Sequence, residues 1–195
     1  MNVRLSKSLS WCSGVIYQEG FFVNQYEVDL AMVTVSSDTD QQNIAYERMK
    51  YWVQNVLDNA VLIAHDSAIL PAWQKTNARL LVLPEEPVDQ IIGMMLYLKL
   101  NAVMENRLVV ATTEVRSAVG DHMGYTHNNG ENLGALSVDG WWSDSRPIWF
   151  DSRPREQDKI VALDRSPEWK DFQLDWNDQE ANPSHTVVFA DFPKK

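Results

Sequence analysis

Side chains that commonly take part in catalysis are sparse in this chain and form no established motif. The sequence contains no glycine-rich phosphate loop, no GxSxG elbow, no HExxH zinc motif and no paired CxxC. The one cysteine, Cys12, cannot form an intramolecular disulfide, and we interpret it as a small apolar residue next to Trp11. Asp121, His122 and His127 are close enough in sequence to suggest a new metal or catalytic site. The simpler interpretation is that they are polar loop residues, and we predict no metal site.

The charge of the chain argues against several classes of partner. Its 195 residues include 17 basic and 27 acidic side chains, which gives a net charge of −10. Because phosphate contacts supply most of the affinity for nucleic acid, we expect no nucleic-acid binding. No apolar run has the length of a membrane span or of a signal peptide, which predicts a cytoplasmic protein without membrane contact.

Hydrophobic periodicity predicts two strands at the start of the chain. Residues 26–35 alternate between apolar and polar side chains, which is the pattern of a half-buried strand. Residues 8–18 are also rich in β-favouring residues. We expect GFFVN, at residues 20–24, to connect the two strands as an antiparallel pair.

Two long helices and two further strands are predicted next. Candidate N-caps at residues 37–40 precede an amphipathic helix over residues 41–59. A short buried strand ends at Pro84, and a second helix over residues 88–106 is apolar on more than one face. Residues 108–120 form the strand with the strongest β composition in the chain, and it contains the sequence TTEV.

The composition changes after residue 125. Five of the eight tryptophans lie beyond this point, among prolines and few apolar runs, so we expect an irregular extension held to the core by tryptophan anchors. The predicted domains are a core of residues 1–125 and an extension of residues 126–195. Within the extension, PIWF at residues 147–150 and TVVFA at residues 186–190 are predicted to be short strands.

The order of these elements resembles the tunnelling fold of the 6-pyruvoyl-tetrahydropterin synthase family, over residues 1–125. VLDNAVLI, from Val56 to Ile63, is similar to the stretch that closes the first helix of that family. LPEEPVDQI, from Leu83 to Ile91, is similar to the proline-led start of its second helix. The resemblance implies an α+β fold, with an antiparallel sheet and two long helices on one face. It also implies a homo-oligomer in which the sheets of several subunits close a barrel.

The resemblance further implies a ligand site. In that family a glutamate on the strand after the second helix anchors the pterin ring, and Glu114 in TTEV occupies the matching place. We therefore predict that Glu114 faces a subunit interface and accepts two N–H bonds from the 2-amino-pyrimidinone edge of a pterin- or purine-like ligand bound there. Thr112 and Thr113 are predicted to add hydroxyl contacts, and Tyr26 or Phe22 to stack on the heterocycle.

The chain departs from the family in the residues that would hold zinc. No histidine precedes His65, and Cys12 lies too early to match the catalytic cysteine of that family. We therefore predict no zinc-dependent synthase activity and no cofactor. Two alternatives remain open: a non-enzymatic interaction or scaffold protein that uses its acidic, tryptophan-rich C-terminal region, and an enzyme with a new site near residues 121–127.

Overall fold

The computed structural model describes residues 3–148 and 167–177, which form a six-stranded sheet with helices packed on it. The strands are β1 (Arg4–Tyr17), β2 (Gly20–Thr34), β3 (Val61–Ala64), β4 (Leu80–Leu83), β5 (Leu108–Ser117) and β6 (Tyr125–Asn128). The helices are α1 (Thr39–Trp52), which continues as a π-helical turn (Val53–Leu57), the short α2 (Leu70–Trp73) and α3 (Asp89–Met104). The predicted α+β fold class is confirmed. TVVFA and the last two residues of PIWF lie outside the described residues.

The sheet is mixed, with the strand order β4-β3-β1-β2-β5-β6. Neighbouring strands from β1 to β6 along this order are antiparallel, whereas β3 and β4 run parallel to β1. The antiparallel part of the predicted sheet is therefore present, and two short parallel strands extend it on one side. Within the described residues, no helix is long and apolar enough to span a membrane.

The hairpin between β1 and β2 turns two residues earlier than the sequence suggests. Gln18 and Glu19 form the turn, and both have a positive φ, of 46° and 63°. GFFVN is therefore the first part of β2 and not the connection between the strands. This extension matters for the site because it places Phe22 on the same face of β2 as Tyr26.

Local side-chain hydrogen bonds and a left-handed residue set the limits of the first long helix. The Asp38 carboxylate caps α1 by accepting hydrogen bonds from the backbone N–H groups of Asp40, at 2.8 Å, and Gln41, at 3.5 Å. The π-helical turn ends at Leu57, because Asp58 is extended with a ψ of 132°, and Asn59, with a φ of 61°, then directs the chain away from the helix. The chain can then enter β3, which is buried on both faces because the α2 segment covers the side of the sheet opposite α1 and α3.

A β-bulge divides the strand that carries TTEV. The pairing with β2 shifts between Ala31 and Met32, which leaves Ala111 as the extra residue of β5. Val110 is buried before the bulge, and Thr113 and Val115 are buried after it. Side chains therefore alternate between the two faces separately on each side of the bulge, and Val110, Thr113 and Val115 share the buried face.

The described part of the extension packs on the core through tryptophan side chains. Trp141, Trp142 and Trp169 are each less than a tenth exposed, and their indole N–H groups donate to the backbone carbonyls of Val82, Leu136 and Ser145. All three indole rings belong to the main buried apolar cluster. The sheet itself continues to Asn128, three residues past the boundary expected at residue 125.

A buried lysine holds one loop of the extension. Lys99 of α3 is 1% exposed, and its Nζ donates to the carbonyl oxygens of Trp141, at 3.2 Å, and Arg146, at 3.3 Å, and also to that of Asp144. Burial lowers the pKa of Lys99 to about 8. Because three carbonyls surround the ammonium group, the lysine acts as a structural clamp for the residues that follow Trp141.

Candidate functional site

An open cleft of about 450 Å³ lies between the sheet and the N-terminal end of α3. Its walls come from the C-terminal end of β1, the first half of β2, the end of β5 and the loop that leads into β6. The lining residues are Val15, Tyr17, Phe22, Asn24, Tyr26, Pro87, Val88, Asp89, Gln90, Ser117, Val119, Gly120, Met123, Gly124 and Tyr125. Their mixture of aromatic walls and a few polar groups is typical of a small-molecule site.

The polar groups of the cleft are fixed by hydrogen bonds to one another and to the backbone. The Ser117 hydroxyl donates to Asp89 Oδ2 at 2.8 Å and accepts from the backbone N–H of Gly120 at 3.0 Å. Asn24 Oδ1 accepts from the backbone N–H of Val119 at 3.0 Å. Ser117 and Asn24 are almost completely buried, so the cleft presents a preorganised polar floor.

Burial changes the acidity of two groups in the cleft. Burial raises the pKa of the Asp89 carboxyl, and the hydrogen bond from Ser117 offsets part of that rise. Burial also raises the pKa of Tyr26 well above its usual range, so its hydroxyl keeps its proton. The cleft is therefore lined by both a protonated tyrosine hydroxyl and a half-buried carboxyl group, a combination that can bind a polar heterocycle edge.

Aromatic and apolar side chains form the walls and the rim. Tyr26 is 1% exposed and stacks on Trp11, with ring centroids 5.1 Å apart and planes inclined by 11°. At the rim, Val119 and Met123 are 61% and 77% exposed. Exposed apolar side chains next to a polar floor favour a ligand with a flat hydrophobic face and a polar edge.

The structure divides the five predicted ligand residues between two faces of the sheet. Tyr26 and Phe22 line the cleft. Thr113 is fully buried on the same face, where its hydroxyl donates to the Gly93 carbonyl at 3.2 Å. Thr112 and Glu114 alternate with Thr113 along β5 and lie on the opposite, open face.

Glu114 is part of a charged network on that open face. Its carboxylate accepts a hydrogen bond from Arg116, which also donates to Asp29 at 2.7 Å. The Asp29 carboxylate accepts a further bond from the Ser8 hydroxyl at 2.5 Å. This network crosses β1, β2 and β5, and it occupies Glu114 with a cation of its own chain.

Asp89, Ser117 and Asn24 are the functional candidates that sequence reasoning missed. They lie on three separate elements, and no spacing in the sequence connects them. In the sequence, Asp89 has an ordinary explanation as an acidic residue in the first turn of a helix, where such residues are common. Ser117 likewise has an ordinary explanation as a strand residue. The available signal was the position of Asp89 in the first turn of a helix in which it is the only acidic residue.

The structure does not bring Asp121, His122 and His127 together. Asp121 and His122 are exposed in a turn, where both have a positive φ, whereas His127 is buried on β6. Across residues 3–148 and 167–177, no group of three or more histidine, cysteine, aspartate or glutamate side chains could hold a metal ion. The described residues therefore give no support to an enzyme with a new site in this region.

Acidification should destabilise the strand that carries part of the cleft wall. His127 is 1% exposed, its two ring nitrogens make no hydrogen bond, and burial lowers its pKa, although the Glu131 carboxylate 3.6 Å away partly offsets this. The folded protein therefore binds a proton less readily than the unfolded chain, and stability falls as the pH drops below about 6.5. We expect His127→Gln to reduce the loss of melting temperature between pH 7.5 and 5.5. The matched control is His122→Gln at an exposed turn position, and an equal loss in wild type and His127→Gln would contradict the prediction.

Comparisons with known proteins concern the fold. The chain is similar in structure to 6-pyruvoyltetrahydropterin synthase from Plasmodium vivax. The match covers 66% of this chain and 99% of that protein, with 14% identity and a TM-score of 0.41. An uncharacterized protein from Wolinella succinogenes matches over the same shares of the two chains, with 12% identity and a TM-score of 0.48. No family model and no curated protein sequence matches the chain.

Proposed function

We propose that this chain is a tunnelling-fold protein that binds a pterin- or purine-like heterocycle in the cleft at the N-terminal end of α3, without zinc-dependent synthase chemistry. The observation that carries the proposal is the half-buried carboxyl group of Asp89, held by Ser117 between aromatic walls. The volume of about 450 Å³ lies within the range of about 300–1,000 Å³ that is common for small-molecule sites.

The chemistry of the cleft suits the 2-amino-pyrimidinone edge that pterin and guanine share. This edge offers two adjacent N–H donors, and a carboxylate can accept both as parallel, charge-assisted hydrogen bonds. Asp89 supplies the carboxylate, while Tyr26 and Asn24 line the same cleft and offer polar groups to the rest of the ring. Phe22 and Tyr125 provide aromatic surface for the faces of the heterocycle.

In this proposal, Asp89 takes the role that the sequence predicted for Glu114, and Phe22 keeps its predicted stacking role. The Tyr26 ring is 1% exposed and stacks on Trp11, so Tyr26 contributes its hydroxyl group instead. The placement of Glu114 on the open face, in contact with Arg116, favours this exchange. A direct role of Glu114, Thr112 and Thr113 in ligand binding stays a prediction, and the paired substitutions described next test the role of Glu114.

Paired substitutions distinguish the two carboxylates. We expect Asp89→Asn to weaken the binding of pterin or guanosine by about 1–3 kcal/mol, roughly 5- to 150-fold in Kd, because one acceptor becomes a donor that faces the N–H groups of the ligand. Glu114→Gln is the matched control and should bind like wild type. Titration calorimetry measures both, and thermal unfolding without ligand shows that each variant is folded. Loss of binding in Glu114→Gln together with normal binding in Asp89→Asn would move the site to the open face.

We further propose that the protein is a homo-oligomer. Within the described residues, β3 pairs with β1 only at Gly14 and Val15, so the outer edge of β1 from Arg4 to Ser10 has no neighbouring strand. A long unpaired strand edge favours pairing with another polypeptide chain. The resemblance to the tunnelling fold implies that the pairing partner is a second copy of the same protein. Multi-angle light scattering should give a mass that is a multiple of 22.4 kDa. A single-chain mass at micromolar concentration would contradict the proposal.

A further inference from the structure

The charges that line the cleft are of one sign. Asp89 is acidic, and none of the lysine and arginine side chains in the described part of the chain lines the cleft. Arg116, on neighbouring β5, lies on the opposite face of the sheet, where it contacts Asp29 and Glu114. Any anionic group that entered the cleft would therefore meet a carboxyl group and no described side-chain cation.

A second groove, of about 360 Å³, continues this acidic surface. It shares Val88 and Gln90 with the cleft and is also lined by Glu85 and Glu86. A substituent that leaves the heterocycle in this direction would reach two exposed carboxylates. Carboxylates repel a phosphate group and attract an amine. The groove therefore favours a neutral or cationic substituent on the ring over an anionic one.

The N-terminal end of α3 attracts anions, because the first backbone N–H groups of a helix carry partial positive charge. In this chain the acidic residue Asp89 occupies the first turn, and Glu85 and Glu86 precede it. Three carboxyl groups outweigh the roughly half-unit positive charge of a helix end. The described charges around this end of α3 are therefore negative overall.

We infer that the cleft selects a heterocycle without phosphate, as the free base or nucleoside, and excludes the corresponding phosphate ester. This inference rests on the proposed function of the same cleft, and it specifies the charge of the ligand. The rim position Met123 is suited to a test, because it lines the cleft and is 77% exposed, so that a charged side chain there needs no burial.

Titration calorimetry with guanosine and guanosine 5′-monophosphate tests the inference on the full-length protein. We expect guanosine to bind at least about tenfold more tightly, and the difference to grow as the salt concentration is lowered, since screening of the repulsion decreases. Met123→Lys should narrow the difference by strengthening the binding of the monophosphate, whereas Met123→Gln, which adds no charge, should not.

Two results would overturn the inference, and they are distinguishable. Equal or tighter binding of the monophosphate by wild-type protein would refute the selection against phosphate and leave the proposed function standing. Absence of binding by guanosine, pterin and the monophosphate would refute the proposed function together with the inference.

Discussion

Replacing Arg48 by methionine is expected to destabilise the protein by about 3 kcal/mol and to release residues 167–177 from the core. The Arg48 side chain is 1% exposed, and its guanidinium group donates to Glu105 at 2.9 Å and to the carbonyl oxygen of Leu174 at 2.7 Å. It also stacks on the Trp176 ring, with the guanidinium carbon 3.6 Å from the ring centroid. Without the guanidinium group, all of these partners lose their contact with residue 48. Because the Glu105 side chain is about one-third exposed, the loss of folding free energy should lie near the lower end of the range for a broken buried ion pair.

Denaturation in urea and limited proteolysis measure the two effects separately. In the Arg48→Met variant, trypsin should cleave after Lys170 sooner than in wild type, because the segment around Trp169 is no longer held. Arg48→Lys is the control: it keeps the charge but not the planar fork, and it should fall between wild type and methionine. If Arg48→Met unfolds at the wild-type urea concentration and resists trypsin equally, the contacts of Arg48 do not hold the segment.

Replacing Trp52 by alanine is expected to cost about 3–5 kcal/mol of folding free energy. Trp52 ends α1, is fully buried, and packs against the Trp141 ring at a centroid distance of 6.1 Å. The Lys99 ammonium group lies 5.8 Å from the Trp52 ring, so the cavity would also disturb the clamp on the extension. The loss combines the transfer free energy of the indole ring with the cost of a large cavity.

Urea denaturation of Trp52→Ala, Trp52→Phe and Trp73→Ala checks this expectation. Phenylalanine fills part of the space and should lose less than alanine. Trp73 lies in the smaller apolar cluster on the opposite face of the sheet and is only partly buried, so its replacement should cost clearly less. A loss below about 1 kcal/mol in Trp52→Ala would show that the core does not depend on this side chain.

Sequence patterns predicted the elements in which one physical signal is strong. The candidate caps at residues 37–40 and the apolar spacing after them indicated α1, and the structure shows that Asp38 is the cap. The apolar surface of residues 88–106 indicated α3, which the structure places at Asp89–Met104. Both helices are long enough for periodicity to exceed local noise, and both bury their apolar faces on the sheet.

Other elements were missed because their signals are weak or are overridden by tertiary contacts. The turn at Gln18 and Glu19 lacks the asparagine and glycine that usually mark a hairpin turn with positive φ angles. The sequence alone therefore favours GFFVN as the connection between β1 and β2. The strand β3 has four residues and follows a helix closely, and four apolar residues alone do not distinguish a strand from a helix end. The burial of β3 depends on the α2 segment, and no local sequence pattern predicts that segment.

The candidate site was partly predictable for the same reasons. Tyr26 and Phe22 follow from strand alternation once β2 is correctly placed. The convergence of Asp89, Ser117 and Asn24 depends on how α3 lies over the ends of β2 and β5, which only the tertiary structure shows. The choice between Asp89 and Glu114 likewise depends on the tertiary structure. The helix α3, which carries Asp89, packs on the face of β5 that carries Thr113, whereas Glu114 lies on the opposite face.

A crystal structure of the protein with bound pterin tests the central claim most directly. We predict that the heterocycle lies in the cleft, with its amino-pyrimidinone edge about 3 Å from the Asp89 carboxylate and its face against Phe22 or Tyr125. Pterin bound at Glu114 on the open face, or an empty cleft at a pterin concentration that saturates binding in solution, would contradict the account.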